Sequence, residues 1–168
     1  MPRESLTVGI IGRSYPPANI WAERTLRPFA VLAAPAGLAA GALMSDMGGV
    51  QTVYLGDHLL TLYHTETGHY RTNLSAARPS VWVSMDAGAV QLVSPDPYEG
   101  ESLASDPARL VEALEMPPAL RLHIADFIAR HHVEEQFQKR KRTPASIEAE
   151  ADPRAPRILP PEQKWIRS

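Results

Sequence analysis

Three histidines in the middle of the chain are the residues best placed to bind a metal ion. His58 and His64 are an even number of residues apart, so on one β-strand their side chains would share a face. His69 follows a break at Thr67-Gly68, where a turn would bring it beside them. Three imidazoles with an open coordination position can hold zinc or iron. A small His-ligated metalloprotein is therefore one hypothesis, although ordinary edge-strand histidines would show the same spacing.

A second pair, His131 and His132, ends the clearest predicted helix. Neighbouring residues on a helix project about 100° apart, whereas two helical metal ligands need a spacing of three or four residues. His131 continues the apolar face of that helix, so it is predicted at the edge of the core. His132 is predicted to face solvent or a partner protein.

Other patterns of catalytic residues are missing from the sequence. Ser14, Ser84 and Ser94 lack the strand–turn–helix context of a nucleophile elbow. Asp96, Glu99 and Glu101 fall in a Pro-rich turn, which favours solvated or helix-capping carboxylates. The glycines do not form a phosphate-binding loop after a strand. We therefore expect that this chain is not itself catalytic.

The composition excludes several further classes of chemistry. The chain has no cysteine, which rules out disulfides, thiolate-bound zinc, cysteine-held iron–sulfur clusters and a thiol nucleophile. A net charge of −2 gives no overall attraction to nucleic acid. The apolar run at residues 6–11 is too short for a secretion signal, and Pro35, Gly37 and Gly41 interrupt the longest apolar stretch. We expect no cofactor in this chain, no membrane span and a cytoplasmic location.

Short strands separated by turn residues dominate the first two thirds of the chain. The Gly56-Asp57 pair predicts a turn that joins two of these strands in a hairpin. Residues 98–104 and 106–114 are predicted as short helices or turns. The predicted strands cover residues 6–12, 29–33, 50–55, 58–64, 69–74, 80–85 and 89–93.

The helix that begins near Pro117-Pro118 is the strongest single element. Its apolar side chains recur with helical spacing, from Leu120 through Ile124 and Phe127. Such a face should pack on the strands. The sequence therefore predicts an α+β fold over residues 1–142, a small antiparallel sheet or open barrel packed by a C-terminal helix.

A basic run and a Pro-rich segment follow this helix. Basic side chains this close together suggest an acidic partner surface, with nucleic acid the weaker alternative. Residues 143–168 are predicted to form an extended partner-binding tail, because frequent proline blocks regular structure. The predicted partner-binding residues are His132, Lys139, Arg140, Lys141, Arg142, Ile158, Leu159 and Trp165.

Four parts of the chain together resemble a small bacterial protein family without an assigned function, which is encoded beside molybdenum-dependent formate dehydrogenases. The resemblance spans about residues 8–142, and its most specific part is the helix end at His131-His132 with the basic run. The matching stretches are Asn19–Glu23 with Arg27–Leu32, Glu66–Leu74 with Pro79–Val83, Ser94–Glu99, and Met116–Arg142.

The resemblance implies an association with the formate dehydrogenase system and supplies no catalytic residues. The partner that it implies is the large catalytic subunit, which carries molybdopterin and iron–sulfur clusters. The leading hypothesis is a non-catalytic accessory subunit that stabilises this partner. The alternatives are an assembly or maturation factor for the same enzyme, and the small His-ligated metalloprotein.

Overall fold

The fold is α+β, as predicted, and consists of two small antiparallel sheets and three helices over residues 3–132, the part of the chain that the computed structural model describes. Between the fourth strand and the first helix, His64–Glu66 form one 3₁₀ turn. The elements in chain order are β1 Arg3–Tyr15, β2 Thr25–Leu32, β3 Leu43–Met47, β4 Val50–Tyr63, α1 Thr67–Ser75, β5 Ser80–Asp86, β6 Ala89–Ser94, α2 Pro97–Ala104, β7 Leu110–Glu115 and α3 Pro118–His131.

The first sheet has the strand order β2-β1-β4-β3. β1 and β4 pair along nearly their whole length, from Arg3 opposite Tyr63 to Ser14 opposite Gln51. The predicted hairpin turn at Gly56 is wrong, because β4 continues through it as a single strand. Gly56 instead lies at a register shift of the β1–β4 ladder, with a φ of 107° that a side chain would disfavour.

The second sheet has the order β6-β5-β7. The predicted strands over residues 80–85 and 89–93 are confirmed as β5 and β6. Ala87 and Gly88 connect them, with φ values of 46° and 80°. Two successive residues with positive φ form the tight turn whose twist matches that of a β-hairpin.

One hydrophobic core unites the two sheets with α3. Side chains from alternate positions of the strands meet there, among them Val8 and Ile10 of β1 and Val83 of β5. The predicted apolar face of α3 is confirmed, because Leu120, Ile124 and Phe127 are fully buried in the same core. The other core residues are Val31, Leu60, Leu62, Tyr70, Val81, Val93, Leu114 and Met116.

Two predicted elements have the wrong type, and β3 was not predicted. Residues 69–74, predicted as a strand, belong to α1, which buries the polar Thr67 and Asn73 beside Tyr70. A helix that buries polar side chains has no apolar stripe to reveal it. Residues 110–114, predicted as helix or turn, lie in β7, which pairs with β5 from Leu110 to Glu115. Tertiary pairing outweighs the helix propensity of that stretch.

The chain divides into two units, Met1–Glu134 and Glu135–Ser168. The second unit contains the predicted tail and lies outside the described residues, so the predicted boundary at residue 142 stays a prediction. In the described part of the chain, no helix is both long enough and apolar enough to cross a bilayer.

Candidate functional site

The three histidines predicted as a metal site lie on three different elements. His58 is in β4, where its Nε2 lies 3.2 Å from the carbonyl oxygen of Leu55. His64 starts the 3₁₀ turn and His69 lies inside α1, so the prediction that His58 and His64 share one strand is wrong. Across residues 3–132, no three histidine or acidic side chains come close enough together to hold a metal ion.

His69 instead forms a hydrogen bond with the buried Asp96. Its Nδ1 lies 2.7 Å from Oδ2 of Asp96, and the imidazole packs on the ring of Tyr98 with 4.5 Å between ring centroids. The other carboxylate oxygen of Asp96 accepts a 2.9 Å hydrogen bond from the backbone N–H of Tyr98. The predicted capping role of Asp96 is therefore confirmed, and its carboxylate ties α1 to the first turn of α2.

Asn73 is a structural residue that the sequence did not reveal. Its side-chain nitrogen donates to the carbonyl oxygens of Ser80 and Pro95, both at 2.7 Å, and its Oδ1 accepts from the N–H of Ser80 at 2.9 Å. One buried amide thus pairs three backbone groups at the start of β5 and the end of β6. No local pattern identifies such a residue, because its partners come from distant parts of the chain.

Tyr70 fixes the first turn of α1 to the end of β4. Its hydroxyl donates to Oε2 of Glu66 at 2.8 Å and accepts from the backbone N–H of Tyr63 at 3.1 Å. Burial raises the pKa of this hydroxyl well above its usual range, so it remains a donor at neutral pH. The polar side chains of α1 therefore position this helix against its neighbours.

His132 lies against α1. Thr67 Oγ1 donates to the carbonyl oxygen of His64 and lies 3.0 Å from Nδ1 of His132, from which it can accept. The imidazole is half-buried, and its Nε2 has no hydrogen-bond partner among the described residues. The ring of His131 packs on Phe127 with 4.7 Å between centroids, which confirms its place at the core edge. A role of His132 in partner binding stays a prediction.

The predicted basic and apolar anchors lie beyond the described part of the chain. They are Lys139, Arg140, Lys141, Arg142, Ile158, Leu159 and Trp165.

Among residues 3–132, the most exposed large apolar side chains occur in the loop of residues 16–24, which we call the aromatic loop. Ile20 is 87% exposed and Trp21 is 89% exposed. A hydrogen-bonded turn presents them, in which the backbone N–H of Trp21 donates to Oδ1 of Asn19 at 2.9 Å and that of Ala22 to the Asn19 carbonyl at 3.2 Å. Large apolar side chains held together in water are typical of a binding surface.

Arg24 anchors the aromatic loop to the first sheet. Its guanidinium donates to Oγ and to the carbonyl oxygen of Ser14, both at 2.9 Å, and to the carbonyl oxygen of Gly49 at 2.7 Å. These partners belong to the end of β1 and to the turn between β3 and β4. The loop is therefore fixed at its base, so binding a partner would order little additional chain.

The geometry defines a two-sheet α+β domain whose polar clusters hold helices in place and whose loop presents an exposed tryptophan. Residues 7–141 match the family described as "Protein of unknown function (DUF3305)", and the chain belongs to this family. No curated protein and no solved structure matches the chain.

Proposed function

We propose that this chain is a non-catalytic accessory subunit that binds the large catalytic subunit of a molybdenum-dependent formate dehydrogenase. The observation that carries the proposal is the exposure of Ile20 and Trp21 on the anchored aromatic loop. Tryptophan is enriched among the residues that dominate binding energy at protein interfaces. A partner with an apolar pocket would remove both side chains from water.

The resemblance to the family encoded beside formate dehydrogenases supports the identity of the partner. Asn19–Glu23, the turn that presents Ile20 and Trp21, is one of the stretches that carry this resemblance. The exposed surface and the resemblance therefore coincide in the same residues. The iron–sulfur clusters would belong to the partner, because a chain without cysteine has no thiolates to hold such clusters. The resemblance assigns the molybdopterin to the same partner.

The C-terminal part of the chain is the second proposed contact. The basic run Lys139–Arg142 would meet acidic groups of the partner, and Ile158, Leu159 and Trp165 would supply apolar anchors along an extended segment. Truncation before Thr143 is expected to weaken the complex and to lower its resistance to salt. Full yield and unchanged salt resistance of the truncated protein would exclude docking by the tail.

Co-purification with a tagged large subunit tests the role of the aromatic loop. Trp21→Ala is expected to weaken binding about 30-fold or more, because residues that dominate an interface contribute about 2 kcal/mol or more. Ile20→Ala should have a smaller effect in the same direction. Leu122→Ala on α3 is the matched control, because Leu122 is 73% exposed on a different element. Equal binding by the Trp21→Ala and Leu122→Ala variants would exclude the aromatic loop as the docking surface.

The stoichiometry of the purified active enzyme separates an accessory subunit from an assembly factor. An accessory subunit is expected in a constant ratio to the large subunit. Its absence from the active enzyme, together with its presence on the immature large subunit, would favour the assembly factor. Quantitative mass spectrometry of both forms distinguishes these outcomes.

A further inference from the structure

A cavity lies between the edge strands β2 and β7, and we call it the seam cavity. β2 is the outermost strand of the first sheet and β7 of the second, and the two pack side by side without joining into one hydrogen-bonded sheet. The seam cavity has a volume of about 460 Å³. A space of this size is within the range that small-molecule sites occupy.

The floor of the seam cavity is the hydrophobic core. The buried side chains of Val31, Leu114 and Met116 line it from below. Ala30 of β2 and Ala113 of β7 also line it, and their short side chains leave the space between the two strands unfilled. An apolar molecule in this position would therefore be removed from water against the core.

The ends of the seam cavity limit the length of a ligand. Arg27 and Glu112 form an ion pair from β2 to β7 at 3.3 Å, beside one end of the cavity. Pro117-Pro118, which follow β7, line the other end. The lining residues 113–116 between these ends span about 10 Å at the rise of an extended chain. This length suits a small molecule better than a long peptide.

The charged residues of the seam cavity leave a positive charge without a counterion. Glu115 lines the cavity, but it pairs with Arg121 at 3.5 Å. Arg78 also lines the cavity and is exposed, and its guanidinium forms neither a hydrogen bond nor an ion pair with any residue of the described range. Arg13 lies with its Cζ 3.4 Å from the ring centroid of Phe29, another lining residue. The site therefore favours an anion.

We propose that the seam cavity binds a small apolar carboxylate, such as a medium-chain fatty acid. The hydrocarbon chain lies on Val31, Leu114 and Met116, and the carboxylate binds Arg78. A guanidinium matches a carboxylate because it can donate two parallel hydrogen bonds to its two oxygens. The inference does not rest on the proposed function, because it uses no residue of the aromatic loop or of the C-terminal part of the chain.

Calorimetric titration of the full chain with octanoate tests the proposal. We expect saturable binding at one site per chain. Hexanoate should bind about tenfold more weakly, because it lacks two methylene groups that the apolar floor would remove from water. Octylammonium, which has the same chain length and the opposite charge, should not bind. Absence of saturable octanoate binding would overturn the proposal, as would equal affinities for octanoate and octylammonium.

Arg78→Gln tests the role of the guanidinium. This variant should bind octanoate about fivefold more weakly or less, because it loses the charge-assisted hydrogen bonds to the carboxylate. Arg109→Gln is the matched control, since Arg109 is also partly exposed but pairs with Asp106 and does not line the cavity. The control should bind octanoate as the wild type does. Equal affinities of the two variants would overturn the assignment of the carboxylate to Arg78.

Ala113→Leu tests the position of the hydrocarbon chain. Ala113 is exposed, so a leucine there can occupy the seam cavity without overpacking the core. Octanoate affinity is expected to fall about tenfold, because the new side chain displaces part of the ligand. Thermal unfolding without ligand should show an unchanged melting temperature. Unchanged octanoate binding by the folded Ala113→Leu variant would overturn the seam cavity as the site.

Discussion

Gly100 of α2 lies directly against the indole ring of Trp82 in β5. A β-carbon placed on Gly100 would come within 2.2 Å of Cδ1 and Cγ of that ring. Trp82 occupies the face of β5 opposite to the core residues Val81 and Val83, and α2 packs on that face. Glycine is a poor helix former, so its presence in α2 is explained by the close approach of helix and sheet.

Gly100→Ala is expected to destabilise the domain by about 1–3 kcal/mol or more, because the added methyl group must displace the Trp82 ring or shift α2. Gly68→Ala in α1 is the matched control, since a β-carbon there meets no atom within 4 Å. The control should be neutral or stabilise by up to about 1 kcal/mol through helix propensity. Urea unfolding of both variants measures the difference. Equal free energies of unfolding for the two variants would contradict this prediction, because they would mean that α2 can move away from β5 at little cost.

Asn73→Ala is expected to reduce the free energy of unfolding by about 2–4 kcal/mol, because three backbone groups of Ser80 and Pro95 lose their partner in a buried site. Asn73→Asp keeps the acceptor for the N–H of Ser80 and loses both donors, so it should also destabilise. Thermal unfolding measured by circular dichroism checks both variants. A loss below about 0.5 kcal/mol in both would mean that water replaces these hydrogen bonds.

Two buried serines should respond in opposite ways to removal of the hydroxyl group. Ser84 Oγ has no hydrogen-bond partner in the described part of the chain, so Ser84→Ala is expected to be neutral or stabilising. Ser94 Oγ accepts the backbone N–H of Asp96 at 3.1 Å. Ser94→Ala should therefore cost about 1–2 kcal/mol by leaving that buried N–H unpaired. Denaturant unfolding of the two variants provides the comparison, and a greater loss for Ser84→Ala would contradict it.

Glu4 should make the stability of the domain depend on pH. The hydrogen bond that Arg130 donates at 3.0 Å lowers the pKa of Glu4 from its ordinary value of 4.5. A carboxyl group whose pKa is lower in the folded state stabilises the fold above the unfolded pKa. That contribution is lost as the pH falls through the folded pKa. The Glu4→Gln variant should therefore melt at a lower temperature than the wild type at neutral pH. The difference should shrink below about pH 4.5, whereas a difference that is constant with pH would exclude this linkage.

The elements that were predicted correctly from the sequence are those whose structure depends only on their own residues. The buried face of α3 follows from the spacing of Leu120, Ile124 and Phe127 alone. The turn between β5 and β6 follows from Asp86-Ala87-Gly88, where glycine permits a positive φ. In both cases a local pattern specifies the structure without help from distant residues.

The elements that the sequence predicted wrongly depend on distant partners. Gly56-Asp57 has the composition of a turn. Because β4 pairs with β1 on both sides of Gly56, this residue instead forms an irregularity within the strand. Residues 110–114 belong to a stretch predicted as helix or turn, and pairing with β5 makes them part of β7. Hydrogen-bond ladders to other strands outweigh local preferences of a few tenths of a kcal/mol per residue.

The candidate sites likewise combine features that the sequence alone determines with features that depend on contacts between distant residues. The sequence by itself determined an α+β domain without cysteine chemistry, because composition and periodicity are properties of the chain alone. Only the tertiary structure decided that His69 pairs with Asp96, while His58 and His64 lie on other elements. Only the tertiary structure left Trp21 in water, because burial depends on which surfaces the folded chain brings together. Residues distant in sequence take fixed positions relative to one another because the two sheets and α3 pack around one common core.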